Sequence, residues 1–355
     1  MKNPNYWHSI LFFWKGNAMA PQDIQIKWYD LSGYTICIKC NQPEWLKRIS
    51  RFLSLPEGLG GNAHLFLDLQ VVEAEYVDHL MPLPDPELKI ADFTLLLNHP
   101  VTMHTYLGDT EQWTDYEGYA RTYVDYLNGT AAVLLFSHND ITPLYTDLLF
   151  IYNLINQLMI KYNYFSVHAS CVQFNEIGIM LSGNSGRGKS TAIFALLQHG
   201  FKVLSDERVL LYHCDDGYRG CSISDIIKIR EEARKLFFPA MLPEKAYATI
   251  DDEHYYNCRT IRPGSWLRDT RVNNFLVINQ SGTPQSRLLK INPTRVVGEF
   301  FPVTMKAYEN KKTVTQKFNF LMDFLSSVPC YQLEFGTDMG RFASLLQSLA
   351  EDSIT

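Results

Sequence analysis

The 355-residue chain has no long uncharged apolar run. Its longest apolar stretch, Leu144 to Tyr162, carries Asp147, Asn153, Asn156 and Gln157. A bilayer core penalises such residues, so no membrane span is expected. An excess of positive charge is also missing. Lys and Arg number 32 against 38 Asp and Glu, a net charge of −6, which excludes a protein that coats nucleic acid by bulk charge. There is no cysteine framework either: the seven cysteines are odd in number and scattered, unlike a secreted disulfide scaffold. Cys37 and Cys40 form a CxxC, but no second pair or His pair follows at zinc spacing. They read as two thiols in a strand, because Tyr34 to Cys40 alternates apolar and polar residues. Internal repeats and low-complexity tracts are absent. Lys2 to Trp14 holds only the short apolar run Ile10 to Trp14, without a convincing small-residue cleavage site. No secretory signal is therefore expected, the default location is cytoplasmic, and Met19 is an alternative start.

What is present is ordinary globular composition, with 46% hydrophobic and 20% charged residues, which excludes wholesale disorder. At roughly 150 residues per domain, two domains are expected. Residues 1–143 read as an α+β domain for substrate recognition or assembly, and 144–355 as the catalytic domain, with the boundary in the polar segment Ser137 to Pro143. In the first domain, Ile24 to Tyr29 and Gly33 to Lys39 read as paired strands around Leu31-Ser32-Gly33, and Pro43 to Leu53 as a helix. His64 to Tyr76 and Ala131 to Phe136 have strand composition, and Thr94 to Asn98 with Thr102 to Leu107 suggests a hairpin. The aromatic residues Trp7, Trp14, Trp28, Trp45, Tyr29 and Tyr34 read as core.

In the second domain, Leu144 to Tyr162 reads as a helix with one broad apolar face. Phe165 to Phe174, the turn Asn175-Glu176 and Ile177 to Leu181 read as strand, turn and strand. A glycine-rich loop follows, then a helix from Lys189 to Gln198 and strands at Phe201 to Leu204 and Val209 to Tyr212. Beyond them, His213 to Gly220 reads as a polar linker and Asp225 to Phe238 as a helix. Strands are expected at Asn274 to Ile278 and Pro329 to Phe335, and a last helix at Asp338 to Leu349.

The loop Gly183-Asn184-Ser185-Gly186-Arg187-Gly188-Lys189-Ser190 fits GxxxxGK[ST] without departure. Its glycines let amide N–H groups approach phosphate oxygens, and the following helix directs its positive end at the same anion. Lys189 would reach the β- and γ-phosphates, and Ser190 would ligate Mg²⁺. Asp206 and Glu207 are adjacent carboxylates at the end of the next apolar strand, where ligands of α/β sheets dock. One acid near the metal and one facing an incoming hydroxyl would suit phosphoryl transfer; a solvated hairpin, Asp-Glu-Arg, is the plainer reading. His168 lies in the strand-like Ser166 to Ser170, where a lone histidine is most often a packed one.

Taken together, His168 to Val209 resembles the catalytic domain of HPr kinase/phosphorylase, whose fold is related to phosphoenolpyruvate carboxykinase. His168 stands at the family's spacing ahead of Gly183, the loop matches GxSGxGKS, and Val203 to Val209 matches the strand V-A-D-D-x-V. The resemblance implies an α/β fold, a mixed-sheet P-loop kinase core of the HPr kinase/PEP carboxykinase type with a separate α+β N-terminal domain. It further implies ATP and Mg²⁺ as cofactors. Asp206 would take the acceptor's proton, His168 would support it, and Ser190 with Glu207 would hold the metal. Gly183 to Thr191 would bind nucleotide, and Arg230, in a segment like the family's E-I-R-G, is a candidate phosphate or substrate contact.

The chain departs from the family at Glu207, at Thr191 and after Arg230, and so looks closer to the divergent HPr-kinase-like proteins of bacterial modified-peptide clusters. The expected activity is a serine kinase acting on a hydroxyl of a protein or peptide, with homo-oligomers known among family relatives. A nucleotide-gated NTPase or binding module, and a small-molecule hydroxyl kinase, stay open.

Overall fold

The computed structural model describes residues 24–96, 100–136, 148–305, 309 and 311–353. The expected extension before Met19, Trp7, Trp14 and the boundary segment Ser137 to Pro143 lie outside these residues. Contacts divide the chain into two compact units, Met1–Arg51 with Pro56–Leu154, and Phe52–Leu55 with Ile155–Thr355.

The first unit is built on an eight-stranded sheet. Its strands are β1 (Gln25–Leu31), β2 (Tyr34–Cys40), β3 (Leu65–Val71), β4 (Lys89–Leu96), β5 (Pro100–Leu107), β6 (Glu111–Tyr116), β7 (Ala120–Asp125) and β8 (Thr130–Leu135). Their order is β1-β2-β3-β8-β7-β6-β5-β4. Ser32 and Gly33, at φ 51° and 88°, form the tight β1–β2 turn, whose twist requires positive φ at both central positions. β2 and β3 are parallel, so the chain must cross over, and the helix Pro43–Leu53 does this. The β6–β7 hairpin was not legible in the sequence. Its strands carry Gln112, Thr114, Arg121 and Thr122 buried beside aromatic residues, which hides the usual alternation. Cys37 and Cys40 are buried free thiols, and strand alternation sends them to opposite faces. Burial pushes both up to about 11.

The second unit is a mixed sheet with helices on both faces. Its strands are β9 (Phe165–His168), β10 (Ser170–Phe174), β11 (Ile177–Ser182), β12 (Lys202–Ser205), β13 (Arg208–Cys214), β14 (Gly217–Cys221), β15 (Ile226–Arg230), β16 (Ala248–Ile250), β17 (Glu253–Asn257), β18 (Asp269–Gln280), β19 (Arg287–Lys290) and β20 (Cys330–Phe335). The main sheet runs β12-β10-β11-β18-β14-β13-β9, with β20 on β18 and β19 on β20; β15, β17 and β16 form a small sheet of their own. β11, β18 and β20 are mutually parallel, and the other pairings are antiparallel. The parallel strands are buried on both faces and so read as continuous apolar runs. Ile179, Leu181, Leu276 and Ile278 pack with Ala192, Leu196, Phe342 and Leu346 of the helices Lys189–Gln198 and Met339–Asp352. Met180, Phe275 and Val277 pack with Val296, Phe300, Leu321 and Phe324 of the helices Pro293–Thr304 and Lys311–Ser327. The α/β, mixed-sheet expectation holds.

Four readings need correction. Phe165 to Phe174 is not one strand: it breaks at Ala169, with β9 pairing to β13 and β10 pairing to β11 and β12. His213 to Gly220 is not a linker but the end of β13 and most of β14. Asp225 to Phe238 is not one helix. Ile227 and Ile229 alternate into the core as β15, pairing with β17, and the helix is only Glu231–Phe237. Leu144 to Tyr162 is irregular where described: a π-turn at Leu148–Tyr152, α-helix at Asn153–Leu158 and a 3₁₀ turn at Met159–Tyr162. The helix Pro293–Thr304 went unread because it holds β-branched residues, Gly298 and Pro302. Its start carried a legible signal, the Asn292 side chain accepting the Thr294 N–H ahead of Pro293 at the first turn.

Phe275 is fully buried, with the Phe300 and Phe324 rings 4.8 and 5.8 Å away. Phe275→Ala should therefore cost about 3–5 kcal/mol, read as a lower urea midpoint at unchanged slope. A loss below about 1 kcal/mol would mean this face of the sheet is not close-packed.

Candidate phosphate-binding site

The glycine loop joins β11 to the helix Lys189–Gln198, at the C-terminal end of a parallel strand. Two of its glycines are required by space as well as by angle. Gly188 has φ 95°, and a Cβ there would lie 2.8 Å from the Phe335 ring. At Gly183, φ 155°, a Cβ would lie 2.9 Å from the Ile278 carbonyl oxygen. Asn184, Ser185, Gly186 and Arg187 are exposed, and Thr191 is half-buried. Gln280, at the end of β18, donates to the Gly186 carbonyl at 3.2 Å and steadies the tip. The helix begins without a side-chain cap, so its first N–H groups face the loop. Lys189 is 9% exposed. Its Nζ donates to the carbonyl oxygens of Gly183 and Asn184 at 2.6 and 3.2 Å. Burial lowers its pKa, against the opposing pull of Asp206 and Glu207.

The acids sit where two ladders part. β9 runs into β10 through Ala169, and β12 runs into β13 through Asp206 and Glu207. His168 pairs with Arg208 on one side of this crossing, and Cys171 with Ser205 on the other. The β9–β13 and β10–β12 pairings are thus two halves of one antiparallel ladder, interrupted where Ala169 and Ser170 face Asp206 and Glu207. Regular strand geometry, which would send adjacent acids to opposite faces, does not apply at such a break.

Asp206 is 3% exposed and well supplied with donors. The Lys228 main-chain N–H donates to its Oδ2 at 3.0 Å. The Ser170 hydroxyl donates to its carbonyl oxygen and lies 3.4 Å from Oδ1. The Ser190 side chain, at the end of the glycine loop, lies near enough to exert a small lowering pull on the carboxylate's pKa. Burial nonetheless pushes its pKa up to about 6. The Glu207 side chain is 42% exposed. Its pKa is lowered: burial works against this, and the charges of Lys228, Arg208, His168 and Lys189 outweigh it. Among those charges His168 ranks after Lys228 and Arg208, and its main-chain carbonyl accepts from Ser182 Oγ at 3.5 Å. Arg230 is 57% exposed at the side chain, turned to Glu253 at 3.7 Å and Asp252 at 4.0 Å.

Sequence reasoning missed Lys228, Ser170 and Glu253. Lys228 Nζ lies 3.0 Å from Glu253 Oε2 and 3.7 Å from Glu207 Oε2. Burial would lower its pKa, but Glu207, Tyr255 and Glu253 raise it well above the ordinary value. The available signal was the alternation Ile227-Lys228-Ile229, which reads as strand once a helix is not assumed. A cleft of about 670 Å³, lined by Arg271, Asn274, Tyr331 and Asp352 among others, lies at the opposite ends of β18 and β20 and has no part in this site.

No family model matches the chain. Over 50 residues it is 44% identical to the HPr kinase/phosphorylase of Lactobacillus delbrueckii subsp. bulgaricus, 14% of this chain and 16% of that protein. Over 69 residues it is 33% identical to the HPr kinase/phosphorylase of Levilactobacillus brevis, 18% of this chain and 22% of that protein. The match thus spans about a fifth or less of these relatives' length. The solved structure of the Hpr(Ser) kinase/phosphatase from Coxiella burnetii aligns with a TM-score of 0.30 at 11% identity, covering 53% of this chain and 94% of that one. The chain resembles HPr kinase/phosphorylases, and the resemblance is local. Among the described residues no helix is long and apolar enough to cross a membrane.

The Asp206 environment has a stability signature. Its folded pKa, about 6, lies above the ordinary value of 3.8, so folding takes up a proton between those values. The Asp206 contribution to stability is greatest below about pH 4, falls as pH rises to about 6, and is flat above. Asp206→Asn removes that loss and should be more stable than wild type at pH 8 by up to about 3 kcal/mol, with little difference at pH 4. Equal melting temperatures at both pH values would show that Asp206 is not held against its own charge.

Proposed function

We propose that the chain is an ATP- and Mg²⁺-dependent kinase that moves the γ-phosphate to a serine or other hydroxyl of a protein or peptide. The observation that carries this is the junction at Ser190. Ser190, which ends the glycine loop, lies beside a buried carboxylate from the neighbouring strand end, so a phosphate cradle and an acid of raised pKa meet in one place. The local identity to HPr kinase/phosphorylases supports the same class.

In this reading the loop amides and the open helix end bind the β- and γ-phosphates, and Lys189 exchanges its loop carbonyls for phosphate oxygens. The donors beside it are hard oxygens, the Ser190 hydroxyl and the Asp206–Glu207 carboxylates, which suit Mg²⁺ bound by few protein groups and by phosphate. Ser190 and Glu207 would hold it, and when bound it neutralises charge on the phosphate oxygens. The acceptor oxygen forms its bond to the γ-phosphorus as the bond to the β–γ bridging oxygen breaks, leaving ADP. The acceptor's proton passes to Asp206. A carboxylate with a pKa near 6 is mostly ionised at neutral pH yet more basic than an exposed aspartate, as a general base requires. His168 would support Asp206, as the family resemblance implies, and its charge would add to those of Lys228 and Arg208 beside Glu207. Arg230, on the same strand face as Lys228, would meet the acceptor. The net charge of −6 disfavours nucleic acid as that acceptor.

Asp206→Asn should keep ATP binding within about threefold and lose transfer by about 10²–10⁴. Lys189→Ala should weaken ATP binding about tenfold or more. Both are read by ATP titration and by mass spectrometry of labelled acceptors. Wild-type transfer rates in Asp206→Asn would remove the base assignment. Phosphate release with no labelled acceptor would favour a nucleotide-gated NTPase, and label on a free metabolite would favour a small-molecule kinase.

A further inference from the structure

Lys228 is the side chain around which the charges beside the glycine loop are arranged. It stands on β15, its main-chain N–H on Asp206 and its ammonium between two carboxylates from separate segments. Glu207 belongs to the β12–β13 crossing, and Glu253 opens β17. Their oxygens lie 3.7 and 3.0 Å from Nζ, and the Tyr255 ring centroid lies 5.9 Å from it. The Tyr255 hydroxyl donates to Glu253 at 2.9 Å, which fixes that carboxylate. Two acids facing one cation is the pattern a bridging divalent ion would make, with an ammonium in the ion's place. Consistently, among the described residues no three His, Cys, Asp or Glu side chains assemble around an open position.

Resting on the phosphotransfer reading above, we infer that Lys228 is a built-in cation. Its ammonium takes the place between Glu207 and Glu253 that a second divalent ion would occupy, so the chain holds one exchangeable metal, the one beside Ser190. An ammonium supplies one positive charge that needs no binding equilibrium, and it cannot be removed by chelation. It also tethers β15 to the acid pair through the same residue's main chain.

The test is a count of bound Mn²⁺ by electron paramagnetic resonance, on the full chain saturated with a non-hydrolysable ATP analogue. Wild type should bind one Mn²⁺ per chain, and so should Lys228→Arg, which keeps the charge. Lys228→Gln removes the ammonium from between the two carboxylates, leaving Glu253 with Arg230 and Tyr255 as neighbours, and should bind two. The second ion should disappear again in Lys228→Gln combined with Glu253→Gln. Two Mn²⁺ on wild type, or one on a folded Lys228→Gln chain, overturns the inference while leaving the kinase reading intact. If Lys228→Gln does not fold, the wild-type count still decides. A wild-type chain that binds neither the analogue nor Mn²⁺ removes the phosphotransfer reading, and this inference with it.

Discussion

Asp206 is a buried carboxylate, and burying one without donors is among the most expensive things a fold can do. The second unit is arranged so that the donors arrive. Ser170 comes from the strand on one side and the Lys228 N–H from the small sheet, with Ser190 of the loop helix close by. Two segments distant in sequence are thereby tied to one side chain. Burial outweighs these donors and pushes the pKa up to about 6: the charge is tolerated, not favoured. Groups held in that balance are the ones able to take and release protons, at some cost to the stability of the fold.

The glycine loop, its helix and the acid strand were legible because each is a local pattern. Gly183, Gly188 and Lys189 announce themselves by spacing, and Lys189 to Gln198 is a short helix between a glycine N-terminus and Gly200 at φ 92°. The hairpin at Asn175 and Glu176 was equally local. Lys228 was not, because its role depends on β15 pairing with β17, and nothing in Asp225 to Phe238 reports a partner more than twenty positions away. A tract of Ile, Lys and Arg suits helix and strand almost equally, and the pairing decided. The break at Ala169 was hidden for a similar reason: it exists only relative to Asp206 and Glu207 opposite.

The helices Pro293–Thr304 and Lys311–Ser327 show tertiary context overriding propensity. They contribute Val296, Phe300, Leu321 and Phe324 to cover the second face of the sheet, and that cover lets β11 and β18 be apolar on both sides. Without it the strands carrying Gly183 and Gln280 would have no reason to be rigid. The buried ammonium of Lys317, bonded to the Thr304 carbonyl at 2.9 Å and to Glu309 at 3.0 Å, joins the same layer.

The interruption at Ala169 makes the length of its segment matter more than its composition. His168 reports to Glu207 and Ser170 to Asp206 only because a single residue separates β9 from β10. Adding or removing one position there would turn one of the two side chains through the sheet, since strand neighbours alternate faces. Substitutions at Ala169 that fit its buried volume are a different matter, because they leave the phase of both strands untouched. The spacing from His168 to Ser170 is thus under a tighter constraint than the identity of the residue between them.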